Sequence, residues 1–158
     1  MSKVKRKLTT ILATDCVGFS KRMDENEELT LENLKACRSI IDPQIKEFGG
    51  RIFYTAGDSV IAEFDSPVEC VNAAIGFQKA INDRNNIIPP HSRLDWRVGI
   101  HLDDVIIEGD NVYGNGVNIA ARLETACTPG QILLSPAVQD QVNKLSLIHI
   151  SEPTRHTR

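Results

Sequence analysis

The chain has 158 residues, enough for one domain with a core of its own and too few for two comfortable ones. A net charge of −3 with 25% charged residues leaves no basic footprint of the kind a polyanion needs, which argues against nucleic acid as a partner. No apolar run approaches the ~20 residues of a membrane span, the first seven residues lack a signal-peptide stretch, and Cys16, Cys37, Cys70 and Cys127 show no CxxC spacing, so a cytoplasmic chain with reduced thiols and no membrane contact is expected.

Lys7 to Thr14 is β-branched and apolar and predicts a strand, which the polar, glycine-containing Asp15-Cys16-Val17-Gly18-Phe19-Ser20 breaks into a loop. From Glu27 to Phe48, Leu29, Leu34, Cys37, Ile40, Ile41, Ile45 and Phe48 fall near a 3.6 period, with a stop at Gly49-Gly50 and a kink expected at Pro43. Arg51 to Phe64 predicts a hairpin turning at Gly57-Asp58-Ser59, with Ile52 and Tyr54 on one side of the first arm and Val60, Ala62 and Phe64 alternating along the second. Ser66-Pro67 opens a second helix, with Val68, Val71, Ala74, Ile75, Gln78 and Ile81 at helical spacing.

Past Pro89-Pro90, Leu94 to His101 predicts a strand and Val105 to Ile107 its short hairpin partner. Asn115 to Cys127 predicts a third helix with Val117, Ala120, Ala121 and Leu123 inward, Gln131 to Leu134 a short strand, and Pro136 to Val142 a last helical turn. This order, βαββαβ with extra elements, is the α+β, ferredoxin-like split βαβ plan: a mostly antiparallel sheet with helices on one face.

In that plan Asp15, at the end of the first strand, and Asp58, at the hairpin tip, fall on neighbouring strands. A solvated turn residue is the ordinary reading of Asp58 alone. Two carboxylates a few ångströms apart repel unless a positive group lies between them, and hard divalent cations take carboxylate oxygens. The loop Cys16 to Ser20, with Gly18 allowing close approach, can offer backbone N–H groups to phosphate oxygens. On the third helix Asn118 and Arg122 stand at i and i+4 and share a face. A surface Arg122 paired with Glu124 or solvent is the ordinary reading; a fixed charge that meets a phosphoryl group in a transition state is the functional one.

In order and spacing, ILATDCVGFS, GGRIFYTAGDSVIAEF, WRVGIHLDDVIIEGD and VYGNGVNIAARLE resemble the catalytic domain of class III adenylate and guanylate cyclases, bacterial ones especially, over nearly everything from Lys5 to about Gln141. The resemblance implies that Asp15 and Asp58 hold two Mg²⁺ or Mn²⁺ ions, helped by a backbone carbonyl at Cys16 or Val17. It implies phosphate contacts from Val17, Gly18, Phe19 and Ser20, ribose orientation by Asn118, and stabilisation of the α-phosphate by Arg122. It further implies a homodimer, with ATP or GTP bound between two subunits, one giving the aspartates and the other the remaining groups.

The family's adenine-selecting Lys and Asp correspond to Tyr54 and Asn111, and the Glu and Cys usual in guanylate cyclases are also absent. Asn111 can donate or accept and so meets either purine; Asp110 is expected on a strand-like segment facing the other way. An active cyclase is the leading expectation; the alternative is a non-catalytic nucleotide-binding or dimerising regulatory domain, and a third class is an interaction module without nucleotide. Unknown regulatory domains are expected elsewhere in the full-length protein. Leu145 to Arg155, LSLIHISEPTR, resembles the translation of a transposase sequencing adapter, so residues 1–144 are expected to be a C-terminally truncated catalytic domain and 145–158 a non-native tail.

Overall fold

The computed structural model describes residues 4–145, so the expectation of a non-native tail falls outside the described residues apart from Leu145. The organising strand is β1 (Val4–Cys16). Its apolar and β-branched stretch is buried from Thr9 to Thr14 because both edges and both faces are covered. One edge takes β3 (Ser59–Phe64), from Thr10↔Phe64 to Thr14↔Val60, and the other takes β4 (Trp96–Glu108), from Val4↔Glu108 to Cys16↔Trp96. With β2 (Arg51–Ala56) outside β3, β5 (Asn111–Tyr113) outside β4, and β6 (Ile132–Leu134) parallel to β4, the antiparallel path reads β2-β3-β1-β4-β5. The split βαβ plan requires that central β1.

Side chains two apart share a face of a strand, and this sorts the core into two layers. Leu12, Val60, Ala62, Phe64, Trp96, Val98 and Ile100 meet α2 (Glu27–Glu47) and α3 (Pro67–Ile87) through Cys37, Ile41, Ile45, Val71, Ala74, Phe77 and Ile81. Both helices start at side-chain caps, Asn26 accepting from the Leu29 N–H and Ser66 from the Glu69 N–H, each at 3.1 Å. The opposite face is covered as well: Ile11, Ala13, Val105 and Val112 pack with Ala120 of α4 (Asn115–Ala126). A last helix, α5 (Pro136–Leu145), adds Val138 and Val142 to the larger core.

Four local expectations change. Trp96 to His101 and Val105 to Ile107 are parts of one strand, which Leu94 and Asp95 precede, because β1 pairs across the polar His101–Asp104 stretch, and the hairpin partner is β5. Asp110 therefore lies in the β4–β5 turn and not on a strand, where its carbonyl accepts from Arg51 Nη1 at 3.1 Å. The break after β1 holds a short helix, α1 (Phe19–Glu25), which Gly18 starts at φ +68°. A bulge between Ile52 and Tyr54 ends the alternation of β2, so Ile52 joins the larger core while Phe53 and Tyr54 line one groove on the other side. At Pro43 α2 runs on as one helix.

Gly99 fixes how close α4 comes to the sheet. A Cβ there would collide with backbone atoms of α4, the Glu124 nitrogen and the Ala120 oxygen, which cannot rotate away. Gly99→Ala is expected to lower unfolding stability by about 1–3 kcal/mol in a urea titration, the usual cost of overpacking against backbone; an unchanged midpoint would show that α4 sits loosely.

Candidate active site

The end of β1 is where the chemistry collects. Asp15 points to the same side of the sheet as Ile11 and Ala13, toward α4, because the strand period is two. Its cross-strand partner is Arg97, and the guanidinium grips the carboxylate with both arms, Nη2 to Oδ2 at 2.8 Å and Nε to Oδ1 at 3.0 Å. The remaining arm, Nη1, donates to the Thr125 carbonyl on α4 at 3.3 Å.

Asp58 is no solvated turn residue. Gly57, at φ +60°, makes the β2–β3 turn, and the Asp58 carboxylate leaves it to accept the backbone N–H of Cys16 at 2.9 Å. The amide next to Asp15 is thus bound to the second carboxylate, and the hairpin tip is fastened to the end of β1. Phe19 packs part-buried against the larger core with its ring edge beside Gly57.

The loop offers less than the sequence suggested. Cys16 is 3% exposed, and burial together with the Asp58 charge pushes its thiol well above the usual range, so its sulfur stays protonated and only its backbone carbonyl can serve a cation. Val17 N–H donates to the Asp95 carbonyl at 2.8 Å and is not free for phosphate. Gly18, Phe19 and Ser20 begin α1, which has no side-chain cap, and first-turn amides lack intrahelical partners.

Two residues at the corner were not singled out from the sequence. Arg97 could not be placed opposite Asp15 without the strand register. Glu124 is not a surface partner of Arg122: it is 7% exposed, and its Oε2 has no hydrogen-bond partner among the described residues. Its place four residues after Ala120, on the buried stripe of α4, was the available signal. Its carboxyl is pushed up to about 8, first by burial and then by the negative charge of Asp15, with Arg97 opposing and Asp58 adding to the rise.

The other predicted residues lie apart from this corner. Tyr54 and Asn111 line one groove of about 260 Å³ with Phe53, Ile61, Val112 and Val117. Asn118 and Arg122 are exposed and line another, of about 410 Å³, with Ala121 and Thr125. Arg122 and Glu124, two positions apart on a helix, point to opposite sides of α4. Within one chain the structure therefore joins Asp15 to Asp58, and Tyr54 to Asn111, but leaves Asn118 and Arg122 facing outward. Among the described residues no three His, Cys, Asp or Glu side chains form a ready metal cage.

The α+β fold, a mostly antiparallel sheet with β1 at its centre and helices against it, is that of solved cyclase structures. The adenylate and guanylate cyclase catalytic domain family matches residues 2–154, and the chain belongs to that family of cyclase enzymes. The chain is 35% identical over 141 residues to "Putative adenylate cyclase 3" of Rhizobium meliloti (strain 1021), covering 89% of this chain and 24% of that protein. The crystal structure of an adenylate/guanylate cyclase/hydrolase from Silicibacter pomeroyi superposes with a TM-score of 0.84 at 36% identity, covering 96% of this chain and 86% of that one. The adenylyl cyclase CyaB of P. aeruginosa shares the fold, with a TM-score of 0.79 at 24% identity over 90% of this chain and 84% of that one. The chain thus spans about a quarter of the curated Rhizobium relative.

Glu124 gives the metal-free protein a pH signature. Because its folded pKa is raised, its contribution to stability is present below the ordinary carboxylate range and is lost as pH rises through about 8. The groups that set this are Asp15 on β1, Asp58 in the hairpin turn and Arg97 on β4. Glu124→Gln should therefore unfold at higher denaturant than the unsubstituted protein above pH 8, by about 1 kcal/mol or more, with the difference shrinking toward pH 5. Parallel pH profiles for the two proteins would contradict the assignment.

Proposed function

We propose that this domain, as a homodimer, converts a purine nucleoside triphosphate, ATP or GTP, into the 3′,5′-cyclic nucleotide and pyrophosphate. The observation that carries the reading is the bond from Cys16 N–H to Asp58, which fastens two carboxylates at one corner of the sheet. Hard oxygen donors suit Mg²⁺ or Mn²⁺, and the buried, unpartnered Glu124 Oε2 indicates more carboxylate at the corner than Arg97 serves. Asp15 and Asp58, with the Cys16 or Val17 carbonyl, would hold two such ions, whose chemistry is to favour the ionised 3′-hydroxyl and to neutralise the departing pyrophosphate.

The protein's own groups then divide the work. Gly18, Phe19 and Ser20 offer amides to the phosphates. The 3′-oxygen, after losing its proton to solvent, bonds to the α-phosphorus as the bond to the bridging oxygen breaks and pyrophosphate leaves. Arg122 sets a fixed positive charge against the α-phosphate and Asn118 orients the ribose. Both face away from their own carboxylates, which favours delivery by the α4 of a second subunit. The groove under Tyr54 and Asn111 has the apolar walls a flat base needs, from Phe53, Ile61, Val112 and Val117. Asn111 can donate or accept and Tyr54 can stack or donate one hydrogen bond, so the choice of purine falls to hydrogen bonds from this pair. A triphosphate substrate suits a cytoplasmic domain; separately, no helix among the described residues is long and apolar enough to cross a membrane. Regulatory domains would lie elsewhere in the longer protein.

With Mn²⁺ and ATP or GTP the domain should release cyclic nucleotide and pyrophosphate in equal amounts, and Asp58→Asn should lower turnover by about 100-fold or more. Triphosphate bound at saturating Mn²⁺ with no product would favour a regulatory domain instead. Tyr54→Lys combined with Asn111→Asp should raise the ATP-to-GTP turnover ratio about tenfold; an unchanged ratio would move base selection to other residues.

A further inference from the structure

The two walls of the groove under Tyr54 and Asn111 come from opposite ends of the sheet. β2 and β5 close the path β2-β3-β1-β4-β5 at either side, and in a flat sheet the strand spacing of about 4.8 Å would hold them about 19 Å apart. Tyr54 on β2 and Asn111 on β5 nevertheless line one groove, so the sheet curls until its ends meet. No ladder joins β2 to β5. Among the described residues, the hydrogen bond that ties β2 to the β4–β5 hairpin is the one from Arg51 Nη1 to the Asp110 carbonyl, at 3.1 Å. Its acceptor lies one residue before Asn111, in the short turn that Gly109 starts at φ +62°.

The guanidinium is aimed before it meets that turn. Arg51 stands opposite Glu63 in the β2–β3 register, and Glu63, buried at 9% exposure, accepts from Nε at 2.8 Å and from Nη2 on the same oxygen, Oε2. Lys7 Nζ stands 3.8 Å from the other oxygen, so the carboxylate is held in turn. With two nitrogens fixed on a buried charge, the planar fork has little freedom left to lose when its third nitrogen meets the carbonyl. We propose that Arg51 and Glu63 are positioning residues for base selection: the guanidinium clamps the β4–β5 turn to β2, which sets the width of the groove and the place of Asn111 opposite Tyr54. The inference rests on the reading of that groove as the seat of the purine.

The test uses the full chain with Mn²⁺ and follows binding by calorimetry. Its probes are the 3′-deoxy forms of ATP and GTP, which lack the attacking hydroxyl, and inorganic tripolyphosphate, which has phosphates and no base. Arg51→Lys keeps a cation for Glu63 and loses the fork that also reaches Asp110. It should weaken the tighter of the two deoxynucleotides about fivefold and tripolyphosphate by less than about twofold. Equal weakening of both probes, as from general structural damage, or of neither, overturns the clamp. Asn111→Ala tests the groove itself: it should weaken the same deoxynucleotide about fivefold, and adding Arg51→Lys to it should bring less than about a further twofold. A deoxynucleotide that binds Asn111→Ala as well as the unsubstituted chain overturns the groove reading and the inference with it. Weakening by Asn111→Ala but not by Arg51→Lys overturns the clamp alone. A second measurement needs no ligand: Arg51→Lys should quicken amide hydrogen exchange over residues 109–113 about fivefold or more and leave β1 as slow as before, and unmoved exchange there overturns the clamp. Glu63→Gln, which keeps the volume and removes the charge that aims the guanidinium, should act in the same direction on both readouts, and serves if Arg51→Lys does not fold.

Discussion

The register of β1 against β4 is the constraint on which the rest of the molecule depends. The ladder runs from Val4↔Glu108 to Cys16↔Trp96, and its last rungs put Asp15 directly opposite Arg97. A slip of one residue would turn Ile11 and Ala13 away from α4 and Leu12 away from α2 and α3, exchanging the two cores. Because both faces of β1 are buried, the packing that stabilises the sheet also places the carboxylate, and the corner inherits its geometry from the interior.

Charge at that corner is divided unevenly. Asp15 and Glu124 share one arginine while Asp58 adds its charge nearby, and the pressure shows in Glu124, the most buried of the three carboxyl groups, whose carboxyl is pushed up to about 8. Such a site is unsaturated in positive charge. Elsewhere in the chain cations and carboxylates meet in more ordinary pairs, such as Arg38 with Asp42 and Lys79 with Asp83 on helix surfaces. Those i,i+4 pairs on helix surfaces contribute little; on the proposed function, the negative excess at the end of β1 is what a divalent cation would neutralise.

Much of this was legible in the sequence. The strand–helix–hairpin–helix order follows from apolar periodicity and from the stops at Gly49-Gly50 and Ser66-Pro67, and Asp15 and Asp58 stand out as carboxylates at the ends of apolar runs. The misses have physical causes. The β4 strand carries His101, Asp103 and Asp104 in its middle, so its continuity is supplied by β1 and not by its own pattern. The bulge at Phe53 shifts Tyr54 out of simple alternation, and a bulge leaves no composition signal here. α1 has no fully buried residue, only Phe19 packing part-buried against the core, and so offers no stripe to read. Arg97 acquires its meaning from cross-strand pairing, whereas Glu124 was readable from its spacing to Ala120 and was masked by the nearer Arg122.

The central claim is that two subunits build each site, one giving Asp15 and Asp58 and the other giving Asn118 and Arg122 from the outer side of α4. Mixing Asp15→Ala with Arg122→Ala under conditions that allow subunit exchange tests it most directly. Each variant alone should be inactive, whereas a mixed dimer gathers both lesions in one site and leaves the other whole. With about half the dimers mixed and one good site of two in each, activity should recover to at most roughly a quarter of the unsubstituted level. No recovery, in a mixture shown independently to contain mixed dimers, would mean that both groups act from the same chain and would contradict the shared site.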